Sequence, residues 1–190
     1  MRSFALLLLV ACGDVEKPDA EDNAEEVITT VELVLTPSAG DPIVAIWTDP
    51  ENDGSPVIDP IALSDAEDYA VTVSFRNELE DPPEDITAEV AAESDQHQVF
   101  FTGTAVDGGA VAFAYGDEDA DGFPIGLQGT LTTVGAGAGT LVVTLRHLPP
   151  EDDVAVKTGT LAEDVAAGGF DAIPGDSEAA VTFELTVDPA

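Results

Sequence analysis

The chain is predicted to be mainly β, an antiparallel β-sandwich of about eight strands with one short helix, and three observations carry that prediction. Short runs of alternating apolar and polar residues recur along the chain, as expected of strands with one buried face. Each run is bounded by Gly, Pro, Asp or Asn, residues whose backbone preferences suit turns. The 44% hydrophobic content, supplied mostly by Val, Ala and Leu, suffices for a core in 190 residues despite a formal charge of −34, so wholesale disorder is not expected.

The strands are predicted in order over Ile28 to Thr36, Ile43 to Thr48, Tyr69 to Asn77, Gln96 to Thr104, Ala110 to Tyr115, Gly126 to Val134, Gly139 to His147 and Ala179 to Val187. Immunoglobulin-like and jelly-roll-like sandwiches both accommodate this pattern. The helix is predicted over Pro83 to Ser94, where Pro and acidic residues occupy the first turn and Ile86 and Val90 lie one turn apart. The Gly135 to Gly139 run reads as a flexible hairpin connection, and Pro149 to Ser177 as a loop-rich stretch of helix or strand.

Ahead of this domain, residues 1–11 carry one positive charge at Arg2 and the apolar run Phe4 to Val10, too short to span a bilayer and suited to a signal segment. The run closes on Leu9-Val10-Ala11-Cys12, which resembles the lipobox of bacterial lipoproteins. That resemblance implies cleavage before Cys12, lipidation of its thiol and attachment to the outer membrane. A secretory signal followed by an incidental Cys is the other reading of the same residues. Residues 12–26, nearly devoid of large apolar side chains, read as an acidic, self-repelling tether. The β-sandwich domain is then expected over 27–188.

Five Lys and Arg against 39 Asp and Glu make a surface that repels phosphate backbones, so nucleic acid is excluded as a partner and cations are favoured. Asp117-Glu118-Asp119-Ala120-Asp121-Gly122 has the spacing of a calcium loop, in which alternate carboxylates turn onto a hard cation and Gly permits the sharp turn. Asp49-Pro50-Glu51-Asn52-Asp53-Gly54 repeats that spacing. Candidate calcium ligands are thus Asp117, Asp119 and Asp121, with Asp49, Glu51 and Asp53 as a second set. Neither loop has Glu at its twelfth position, and both also suit plain acidic turns.

The chain has two histidines. By alternation His97 shares a face with Val99 and Phe101, and His147 with Leu141, Val143 and Leu145, so each stands where a core-facing row runs out. Were those strand ends to meet, two imidazoles with a carboxylate from Glu89, Glu93 or Asp95 would suit a transition metal. Otherwise each His is a hydrogen-bonded residue at a strand end. Arg76 and Arg146 are expected to relieve carboxylate repulsion. No G-x-S-x-G, phosphate loop or Cys nucleophile is present, and the protein is not expected to be an enzyme.

The segments NELEDPPEDITAEV with QHQVFF, and TLRHLP, resemble small acidic bacterial lipoproteins labelled type 1 periplasmic binding fold superfamily. The resemblance spans most of residues 25 to 187 and implies a periplasmic or surface binding lipoprotein. The label implies alternating strands and helices, whereas the residues themselves imply strands. The expected function is an outer-membrane-anchored binding lipoprotein that captures a ligand, such as a metal ion or metal complex, for a transporter. The alternative is a structural or adhesive domain stabilised by calcium.

Overall fold

The computed structural model describes residues 26–152 and 154–189. Cys12, the signal segment and all of the tether before Glu26 lie outside the described residues. The remainder is a two-sheet β-sandwich. One sheet has seven strands, in the order β3 (Val57–Ile58), β2 (Ile43–Thr48), β1 (Thr30–Pro37), β5 (Asp68–Asn77), β9 (Gln128–Thr133) and β8 (Val111–Tyr115), with β6 (Glu84–Asp85) also on β5. The other has four, in the order β4 (Ile61–Ser64), β11 (Asp176–Asp188), β10 (Gly137–His147) and β7 (His97–Thr102).

Alternation builds the core, because residues two apart point to one side of a strand. Val31, Leu33 and Leu35 of β1 and Val71, Val73 and Phe75 of β5 face Leu141, Val143 and Leu145 of β10 and Val181, Phe183 and Leu185 of β11 within one buried cluster. On the outer side of the four-stranded sheet a smaller cluster joins Phe100 and Leu148 to Leu161, Val165 and Ile173.

All eight predicted strands are present, with ends shifted by a few residues. The Gln96 to Thr104 strand stops at Thr102, because the chain turns at Gly103 (φ +105°) into α2 (Thr104–Asp107). Three short, two- to four-residue strands escaped the sequence pattern, which needs a longer run to show alternation. One of them, β4, pairs parallel with β11, a departure from the antiparallel expectation. The Gly135 to Gly139 segment is not a hairpin: β9 and β10 belong to opposite sheets, the chain crosses between them over Val134 to Ala136, and Gly137 to Gly139 already pair with β11. Alternation marks a strand but does not name its partner.

Among the described residues three short α-helices replace the single predicted one. Within Pro83 to Ser94, helix α1 covers only Ile86–Ala92, since Glu84 and Asp85 pair with Asn77 and Arg76 as β6. The longest, α3 (Leu161–Gly168), falls in the stretch left open between helix and strand, and buries Leu161 and Val165, one turn apart. No helix among the described residues is long and apolar enough to cross a membrane.

Candidate metal centre

His97 and His147 sit directly opposite each other on β7 and β10, the final pair of that ladder. Val99 pairs with Leu145 and Phe101 with Val143 on the same face, so the two imidazoles end a core-facing row. Their rings stack with centroids 4.8 Å apart and planes within 8°. Both side chains are buried, at 3% and 9% exposure.

The carboxylate that meets them is neither Glu89, Glu93 nor Asp95 but Glu178, from the start of β11. Its side chain is 1% exposed, with Oε2 3.5 Å from His97 Nε2 and Oε1 3.7 Å from His147 Nδ1. Regular alternation would turn Glu178 outward, because its neighbour Ala179 pairs with core-facing Leu145. Instead Arg146 pairs with Ser177 and His147 with Asp176, leaving Glu178 as an extra residue in a β-bulge. Bulges re-aim side chains in this way. The bulge is a tertiary feature, so neither spacing nor alternation singled out Glu178; an acid just before the apolar run of β11 was its only trace in the chain.

Glu93 contributes through its backbone, its carbonyl lying 3.2 Å from His97 Nδ1. A carbonyl only accepts, so Nδ1 carries a proton, and whenever the ring is neutral its Nε2 turns a lone pair toward the Glu178 carboxylate. Two electron-rich groups then face each other away from water. His97 Nε2 and Glu178 Oε2, which face each other, are both buried without a hydrogen-bond partner, a costly arrangement unless a cation joins them, and His147 Nε2 is buried without a partner as well. Burial by itself would lower the His97 pKa, but the Glu178 carboxylate outweighs it, with help from Glu93, and holds it above the ordinary value. Further negative charge lies alongside. The Glu26 amide donates to Glu178 Oε1 at 3.4 Å, and burial together with the carboxylates of Glu89, Glu178 and Glu84 pushes Glu26 up to about 7.

The candidate ligand atoms of His97, His147 and Glu178 lie within 4.8 Å of one another. Donors about 2.0–2.2 Å from a tetrahedral metal stand roughly 3.3–3.5 Å apart, close to the two His–Glu separations. An ion lies in the plane of each imidazole that binds it, so one of the near-parallel rings must turn about its Cβ–Cγ bond, a soft torsion.

No protein-family model, curated protein or solved structure matches the chain. The chemistry of the site therefore rests on its own geometry.

The acidic loops are built differently. Asp117 accepts from the amides of Gly126 and Gln128, and Asp119 Oδ1 accepts from those of Asp121 and Phe123. Asp119 Oδ2 meets Lys157 Nζ at 2.9 Å, both side chains being almost wholly buried, and Lys157 also donates to the Ser94 carbonyl. Burial would raise the Asp119 pKa, but the backbone amides and Lys157 hold it below the usual carboxylate range. In the other loop Asp49, 3% exposed, accepts from the Asp53 and Gly54 amides, Asp53 accepts from Ser55, and Glu51 is exposed. Asp49, Asp53, Asp117 and Asp119 thus have partners from the protein itself, while Glu51 and Asp121 stand exposed at the loop surfaces. Arg76 pairs with Glu32 and Glu78 as expected, whereas Arg146 makes no carboxylate ion pair among the described residues and binds backbone carbonyls.

Proposed function

We propose that the protein is a non-enzymatic binding lipoprotein that captures a divalent transition-metal ion between His97, His147 and Glu178. One observation carries the reading: the two imidazoles of the chain lie side by side against a buried carboxylate, with three buried polar atoms lacking partners. Imidazole and carboxylate together suit zinc and its neighbours in the first transition series. Calorimetric titration with zinc at pH 7.5 should show one site in the parent, lost in the His97→Ala, His147→Ala double variant and weakened at pH 5.5, because protons compete with the metal for its ligands. Equal affinity in parent and double variant would remove the histidines from the reading. A calcium-dependent stabilisation, indifferent to both histidines, would favour the calcium-held structural domain instead.

The anchor belongs to the same proposal. With Cys12 lipidated, the acidic tether holds the metal-binding domain off an outer membrane, in position to deliver the ion to a transporter there. The mature N-terminus should carry acyl chains at Cys12, and Cys12→Ser should release the protein into the soluble fraction. Mass spectrometry showing an unmodified Cys12 would sink the anchored form.

A further inference from the structure

The proposed metal site depends on a single bulge, and the bulge is held from outside the core. Arg146 lies on the outer face of β10, between core-facing Leu145 and His147, and is itself buried. Its guanidinium donates to Ser177 Oγ at 2.9 Å, to the Pro174 carbonyl at 3.2 Å, and to the carbonyls of Phe170 and Ile173 at 3.4 Å. Its carbon centre sits 5.7 Å from the Phe170 ring centroid, within range of a cation–π contact. These five interactions span the segment that leads into Glu178. The same segment touches the ligand strand at Gly175 (φ +78°), where a Cβ would overlap the His147 carbonyl oxygen. One residue thus holds down the chain on the N-terminal side of the bulge, while the β10–β11 ladder fixes the other side from Ala179 onward.

We infer that Arg146 and the Glu178 bulge form a positioning device that turns Glu178 from the outer face onto the two imidazoles. Arg146 is a positioning residue, not a ligand: its donors point to carbonyls and a hydroxyl, and its charge opposes a cation. A planar fork with five donors can hold several acceptors in one geometry, which neither Lys nor an apolar residue reproduces. The inference rests on the metal reading, and its test separates the two.

The decisive variant lacks Ser177. It keeps His97, His147 and Glu178, but plain alternation then pairs Glu178 with Arg146 and sends the carboxylate outward. Zinc affinity should fall at least as far as for loss of an outer-shell partner, about 10–100-fold. Arg146→Met should weaken zinc by a similar factor and Arg146→Lys by less, and both should alter the visible spectrum of the cobalt(II) form, which reports ligand geometry. Val73→Ala, a core truncation in the opposite sheet, supplies the control: it should lower the melting temperature and leave zinc affinity and the cobalt spectrum unchanged. If deletion of Ser177 prevents folding, the two Arg146 variants decide. Parent-like zinc affinity and cobalt spectra in the folded variants overturn the positioning role while leaving the metal reading intact. A parent protein that binds neither metal overturns both.

Discussion

Glu178→Gln is expected to make the metal-free protein more stable at pH 8 while abolishing zinc binding. The carboxylate is buried against a neutral imidazole lone pair and has an oxygen without a partner. An amide of the same shape can donate to His97 Nε2 and carries no charge to desolvate. The gain should be about 1–3 kcal/mol, the usual cost of an unsatisfied buried polar group, or roughly 2–4 °C of melting temperature per kcal/mol in a domain of this size.

The pH dependence should change with it. His97 has a folded-state pKa above its ordinary value, and Glu26 is raised from 4.5 to about 7. Both groups bind protons more tightly when folded, so each contributes stability that is complete below its unfolded pKa and is lost as pH rises through the folded one. The metal-free parent should therefore lose stability between about pH 4.5 and neutrality and beyond. Glu178→Gln removes the carboxylate that holds His97 up and one of those raising Glu26, and should flatten that slope. Thermal scans of metal-free parent and variant from pH 5 to 8 measure it. A parent at least as stable at pH 8 as at pH 5.5, with Glu178→Gln less stable still, would contradict the electrostatic account of the site. Zinc reverses the trend in the parent, because it needs deprotonated ligands and stabilises by roughly 2.7 kcal/mol at 100 times its dissociation constant.

Lys157→Met should be the most damaging single substitution outside the cores. It strands Asp119, whose carboxylate is almost wholly buried and whose second oxygen has Lys157 for its partner. Breaking a buried pair by removing one member costs about 3–5 kcal/mol, and the Ser94 carbonyl loses its donor as well. Urea denaturation of parent and variant gives the difference, and a loss below about 1 kcal/mol would show that the pair is not buried in solution. The same variant tests the acidic loop. In the parent an ammonium already pairs with Asp119, one of the three carboxylates that loop spacing assigned to calcium, so calcium should leave the parent unmoved and restore part of the stability lost in Lys157→Met. An equal calcium shift in both proteins would return Asp117, Asp119 and Asp121 to cation binding.

Much of this was legible in the chain because it is local. Alternation from Val99 to Phe101 and from Leu141 to His147 determines which side of its strand each residue occupies, and that alone put both imidazoles on core-facing rows. The excess of acid sets the sign of the surface field, which attracts cations and repels phosphate backbones. What the sequence left undecided is non-local. Only the pairing of β7 with β10 set His97 against His147, 50 positions apart along the chain, because period-two patterning is blind to partner and register. Only the bulge brought in Glu178, by inserting one residue where plain alternation sends a side chain outward. And only packing revealed Lys157 against Asp119: a lone lysine in a polar loop carries no sign of burial until the loop that needs its charge folds over it.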